Sequence, residues 1–270
     1  MGSFTFRQFE IRQDRCAMKV GTDGVLLGAW AEGGKRILDI GSGTGLISLM
    51  MAQRFPEARV VGIDMDEEAC LQARENVAAS PFADRVEIVA SRLQDFSVEA
   101  SQLQDLSVEA SQFRNFGVEA SELRGFRVEA DGTSIAKEAF FDAIVSNPPF
   151  FLNSLKNPDS KRSMARHADS LPFRDLFAGV KRLLSEEGVF SAVIPVEVLE
   201  PFEAEACFSG LSLVRKCLIR TVERKQPKRC LLAFAKHRCG DLEVVTECLM
   251  DAAGGRSSWY AKITEDFYVK

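Results

Sequence analysis

Ser146-Asn147-Pro148-Pro149-Phe150 closes an apolar run that begins at Phe141, and these residues carry the most specific chemistry in the chain. An amino group conjugated to a planar ring or carbonyl delocalises its lone pair. It becomes nucleophilic only when its hydrogens are held out of that plane. The Asn147 side-chain oxygen and the Pro148 carbonyl can accept those two hydrogens. The prolines stiffen the turn so that both acceptors point one way. Phe150 offers a ring face on which a planar group can stack. Such a turn suits in-line attack by a planar amine on an electrophilic carbon, with no metal required. Taken alone, N-P-P-F also reads as a rigid turn leaving a strand.

A second cluster is Asp39-Ile40-Gly41-Ser42-Gly43-Thr44-Gly45, at the join of an apolar strand and a helix. Glycines there let the backbone come close to a ligand at the carboxyl end of the strand. A dinucleotide fingerprint, G-x-G-x-x-G, needs its third glycine at 46, where Leu46 stands. Asp64 ends the next strand, where a carboxylate can accept two ribose hydroxyls, and Met65 is grouped with it. The competing role for Asp64 is a helix-entry cap, but Asp66 is the better placed cap.

These clusters need a framework that brings strand ends together. Apolar runs alternate with helical stretches from about residue 36, the pattern of an α/β fold with a parallel sheet covered on both faces. Strands are predicted at Arg36–Ile40, Arg59–Asp64, Val86–Val89, Phe141–Ser146, Gly188–Ile194, Leu211–Thr221 and Arg229–Lys236. Helices are predicted at Leu46–Arg54, at a stripe of Ala69, Ala73 and Val77, and at Phe173–Leu184. Residues 241–270 supply a last strand and a short helix.

Between the third and fourth strands lie four tandem decapeptides, beginning at Ser91, Ser101, Ser111 and Ser121. Their apolar positions recur every five residues (93, 98, 103 and onward), which matches neither a helix nor a strand. Residues 91–130 therefore read as a duplicated loop projecting from the sheet, tolerated because loop length adds little entropic cost. The alternative is that its Leu and Phe rows form a self-association or partner surface.

D-x-G-x-G-x-G resembles the first motif of class I methyltransferases. Phe6-Arg7-Gln8-Phe9-Glu10-Ile11, the run from Met18 to Trp30, the N-P-P-F-F stretch, Ala165-Arg166-His167-Ala168 and Asp266-Phe267-Tyr268 resemble the bacterial tRNA1(Val) adenine-N6-methyltransferase family. The resemblance implies a Rossmann-like, seven-stranded, mostly parallel sheet, with S-adenosylmethionine as cofactor and tRNA as partner. It also implies methylation of the adenosine just 3′ of the anticodon. Asp39, Gly41, Gly43 and Gly45 would meet the amino-acid half of the cofactor and Asp64 its ribose, beneath a lid around Lys19, Thr22 and Asp23. Many relatives hold the cofactor adenine with an Asp just past the third strand. Here that region is Ala90-Ser91-Arg92, leaving Asp95 or a backbone amide. On this reading residues 1–35 are a lid segment and 36–270 the methyltransferase domain, interrupted by 91–130.

The same tetrad serves enzymes acting on adenine in DNA or ribosomal RNA and on protein glutamine, so those acceptors are rivals. A glutamine methyltransferase usually carries a separate helical domain, and only about 35 residues precede the first strand here. A non-catalytic RNA-binding protein on a relic fold is a rival of another class. The intact Asn147 and glycines speak against it.

The net charge of −5 excludes a molecule coated in positive potential. Residues 215–238, however, hold nine Lys or Arg against the single acid Glu223. Arg224, Lys225, Lys228 and Arg229 are one candidate grip on a nucleic-acid backbone, and Arg162, Arg166 and His167 a second. Seven scattered cysteines without a C-x-x-C pair point to reduced, mostly buried thiols. With no apolar run near the roughly 20 residues of a membrane helix and no basic leader, the expectation is a cytoplasmic monomer.

Overall fold

A computed structural model of the chain describes residues 2–16, 19–97, 126–128, 134–136, 140–148, 171–237 and 240–269, with 126–128 and 134–136 as backbone alone. The chain opens with an antiparallel hairpin of β1 (Ser3–Thr5) and β2 (Glu10–Arg12), then α1 (Thr22–Trp30). Next come β3 (Arg36–Ile40), α2 (Leu46–Arg54), β4 (Arg59–Asp64), α3 (Glu67–Ala78) and β5 (Val86–Ala90). A small hairpin of β6 (Phe126–Val128) and β7 (Ser134–Ala136) precedes β8 (Phe141–Ser146). The second half adds α4 (Phe173–Leu183), β9 (Leu184–Pro195), α5 (Leu199–Phe208), β10 (Ser212–Arg220), β11 (Arg229–Ala235), β12 (Glu243–Cys248) and α6 (Ser258–Ile263).

Among the described residues the main sheet has the order β12-β10-β11-β9-β8-β3-β4-β5. Only β11 runs against its neighbours. The seven strands given bounds in the sequence are all present, and the last strand expected within 241–270 is β12, which pairs in parallel with β10. The main sheet thus has eight strands where the resemblance implies seven. β12 satisfies amides that β10 would otherwise leave bare at the sheet edge.

Alternation along each strand divides the core between the two faces of the sheet. Ile37, Val60, Ala143 and Val145 join the cluster built with α1, α2 and α3. Leu38, Ile40, Ile63 and Ile144 join the cluster with α4 and α5, whose phenylalanines 177, 190, 202 and 234 pack edge to face and tilted. Among the described residues no helix is long and apolar enough to cross a membrane. Cys70, Cys217 and Cys230 are buried, whereas Cys207 is exposed.

The projecting-loop expectation fails for the first residues of the first repeat. Leu93 and Phe96 are buried, the Leu93 carbonyl accepts from Arg182 at 2.9 Å, and Phe96 lies beside Phe141. A Cβ at Gly179 would collide with Leu93 at 2.6 Å, so α4 is shaped around that leucine. Residues 98–125 of the repeats lie outside the described residues.

Candidate active site

β3 and β8 are parallel neighbours, and the chain leaves them in opposite directions along the sheet, toward β4 from one and β9 from the other. Such a switch point opens a crevice at the carboxyl ends of the strands. The glycine loop and the Asn147 turn both start there.

The loop folds back on β4, with the Gly41 and Ser42 amides donating to the Ile63 carbonyl at 2.8 and 3.0 Å. Gly41 and Gly43 have φ of +73° and +52°, values that side chains disfavour, and a Cβ on either meets nothing within 4 Å. The loop thus presents bare backbone to open space. The Gly43 amide donates to Asp64 Oδ2 at 2.8 Å and the Asp66 amide to Asp64 Oδ1 at 3.0 Å. Each carboxylate oxygen retains acceptor capacity for a hydroxyl. Capping falls to Asp66, which accepts from the Glu68 and Ala69 amides of α3. Met65 is 44% exposed beside them.

Asp39 lies beneath the loop with 0% exposure. Ser48 of α2 donates to its Oδ2 at 2.6 Å, while Oδ1 has no partner. Burial pushes its pKa up to about 7, the Ser48 hydrogen bond opposing and the Asp64 charge adding. An unpartnered acceptor under a bare-backbone cradle fits a small molecule carrying a cationic end and a vicinal diol.

Ile40 and Ser146 are register partners at the ends of β3 and β8. The fully buried Ser146 hydroxyl donates to the Ile40 carbonyl at 2.9 Å. Asn147 follows half-buried and Pro148 buried, while Pro149 and Phe150 lie outside the described residues. Lys19 is exposed, and Thr22 and Asp23 open α1. Asp23, expected in the cofactor lid, and Arg229, expected at the RNA, form an ion pair with each other. Arg224, Lys225 and Lys228 are exposed on the β10–β11 turn; Arg162, Arg166 and His167 lie outside the described residues.

A family model described as a methyltransferase domain matches residues 37–117. The protein of Phocaeicola vulgatus named tRNA1(Val) (adenine(37)-N6)-methyltransferase is 42% identical, the match covering 98% of this chain and 97% of that protein. Its namesake in Porphyromonas gingivalis strain W83 is 39% identical over 98% of this chain and 94% of its own. This chain belongs to that family. Two solved structures share the fold. A predicted O-methyltransferase of Agrobacterium tumefaciens has a TM-score of 0.59 at 17% identity, covering 91% of this chain and 96% of the other. Pyrococcus horikoshii TYW2, solved in complex with MeSAdo, has a TM-score of 0.51 at 12% identity, covering 87% and 71%.

Three buried polar residues of this family member were not singled out in the sequence. Ser48 orients Asp39, and Gln72 and Asn76 stand 1% exposed on α3, bonded to the N-terminal segment. The legible signal was a pair of amides four residues apart on a stripe otherwise made of Ala69, Cys70, Ala73 and Val77.

Proposed function

We propose that this chain transfers the methyl group of S-adenosylmethionine to the N6 amino group of adenosine 37, 3′ of the anticodon, in tRNA1(Val). The observation that carries the reading is the Ser146–Ile40 bond, which ties the strand leading into the Asn147 turn to the strand leading into the glycine loop, in a chain whose near-full-length relatives bear that name.

When bound, S-adenosylmethionine supplies a methyl group on a sulfonium, so that transfer leaves a neutral thioether. Asp39 and the Gly41, Gly43 and Gly45 loop hold its amino-acid half, and Asp64 with Met65 its ribose side. The Asn147 side-chain oxygen and the Pro148 carbonyl take the two amine hydrogens, freeing the nitrogen lone pair for in-line attack. Pro149 keeps the turn rigid, and Phe150 stacks the extruded base. The surplus proton passes to solvent.

Lys19, Thr22 and Asp23, within a lid of residues 1–35, cover the cofactor, and Arg229 anchors the lid through Asp23. Arg224, Lys225 and Lys228 grip tRNA phosphates, with Arg162, Arg166 and His167 as a second grip. The methyltransferase domain spans 36–270, with the repeats of 91–130 within it. A monomer acting in the cytoplasm completes the reading.

Two transcripts of tRNA1(Val) test the acceptor, one with adenosine and one with guanosine at position 37. Methyl label entering only the first supports the proposal. Equal label in both moves the acceptor to another nucleotide.

A further inference from the structure

Asn76 is a buried amide with every hydrogen committed. Its Nδ2 donates to the Arg12 carbonyl and to the Thr44 carbonyl, both at 2.9 Å, and its Oδ1 accepts from the Arg12 amide at 2.9 Å. Arg12 ends β2, whereas Thr44 stands between Gly43 and Gly45 of the cofactor loop. One side chain therefore joins the backbone of the N-terminal segment to the backbone of the loop.

The surroundings reinforce the link on both sides. One turn earlier on α3, Gln72 accepts from the Arg15 amide at 3.4 Å, and Glu75 holds the Arg15 guanidinium at 2.9 Å. On the loop side, a Cβ at Gly45 would touch the Ala73 Cβ at 3.4 Å, so the loop rests on the same helix stripe. An apolar side chain at 76 would leave the buried Thr44 carbonyl short of a donor, which is costly, and would take both bonds from the part-buried Arg12 backbone.

We infer that Asn76 is a positioning residue that couples the N-terminal segment to the glycine loop, so that cofactor binding and ordering of residues 10–16 are a single equilibrium. This rests on the proposed cofactor site. Coupling of this kind is reciprocal: whatever the loop gains from a tethered segment, the segment gains from an occupied loop. Asn76 touches no reacting atom, so its effect falls on cofactor affinity and leaves the methyl-transfer step alone.

Amide hydrogen exchange of the full chain, titrated with S-adenosylmethionine, tests the inference. In the wild-type protein, protection at residues 10–16 and at 41–45 should rise with one midpoint. In Asn76→Ala, the loop should still gain protection, at a cofactor concentration about tenfold higher, within the roughly 5–150-fold range of such couplings, while residues 10–16 no longer respond. The KM for cofactor should rise in step, with kcat at saturation unchanged. Gln72→Ala, which loosens the segment without reaching the loop, should lower protection at 10–16 yet keep its response to cofactor. Should Asn76→Ala not fold, the wild-type titration alone decides: loop protection that rises with cofactor while residues 10–16 stay unchanged overturns the coupling. Absence of any protection at 41–45 would instead sink the cofactor site itself.

Discussion

The Ser146 hydroxyl donates to the Ile40 carbonyl at 2.9 Å, tying the strand that leads into the Asn147 turn to the strand that leads into the glycine loop. Both residues are buried and in register, so the bond fixes how far the two loops stand apart. Ser146→Ala removes one buried hydrogen bond, about 1 kcal/mol of stability. A displacement of the amine acceptors costs more in rate, about 10- to 100-fold in kcat. Ser146→Thr restores the hydroxyl and most of the rate. Steady-state kinetics beside thermal unfolding separate the two effects; equal rates in all three proteins would remove Ser146 from the site.

Gly43→Ala places a methyl group in the open space above the loop, at a φ of +52° that costs a side chain about 1 kcal/mol. Unfolding should fall by about 2–4 °C for a domain near this size. Cofactor affinity should fall much further, about tenfold or more, because the methyl occupies the cradle and turns the Gly43 amide from Asp64. Calorimetric titration checks this, and an unchanged Kd would mean that the cofactor lies elsewhere.

Asp39 carries a pH signature. Burial raises its pKa from 3.8 to about 7, so the folded apo-protein holds this proton where the unfolded chain has released it. The unfolded state binds fewer protons across that window, and the group's contribution to stability declines as pH rises from 3.8 to about 7, then levels. A cation at Oδ1 favours the carboxylate, so cofactor binding expels the proton and tightens as pH climbs toward 7. Asp39→Asn should bind weakly and without this slope. Titrations in buffers of different ionisation enthalpy measure the proton released; none released below pH 7 would contradict the role.

Much of the framework was legible because buried strands are short apolar runs bounded by polar residues. Arg36–Ile40, Arg59–Asp64, Phe141–Ser146 and the helix Leu46–Arg54 appear with the expected bounds. The helix Thr22–Trp30 carries no polar stripe, since Gly24 through Ala29 are all buried. Its Gly28 is there for close approach to Met50, which a Cβ would meet at 2.7 Å. Leu199–Phe208 was hidden by Pro201, tolerated in the first turn where its missing N–H has no helical partner. In the site, Asp39, Asp64 and the glycines announce themselves by type and spacing. Asn76 shows only as an amide on an apolar stripe, and its role stays hidden because its partners are backbone atoms of Arg12 and Thr44 that are distant in sequence.

Among the basic residues of the β10–β11 turn, Arg224, Lys225 and Lys228 are exposed, whereas Arg229 is held by Asp23. Replacing the three with serine should raise KM for tRNA with little change in kcat. The slope of log affinity against log salt should fall by about 1 for each lost phosphate contact. Filter binding across a salt series measures it, and an unaltered slope would place the RNA on another face.

The central claim is that the Asn147 turn presents an adenine amine to a sulfonium methyl. The most direct measurement incubates the purified protein with methyl-labelled S-adenosylmethionine and bulk tRNA from a strain lacking the endogenous activity, then digests the RNA and identifies the labelled nucleoside. Label in N6-methyladenosine, falling by on the order of 10²- to 10³-fold in Asn147→Ala, is the predicted result. Label in another nucleoside, or N6-methyladenosine undiminished in Asn147→Ala, would contradict it.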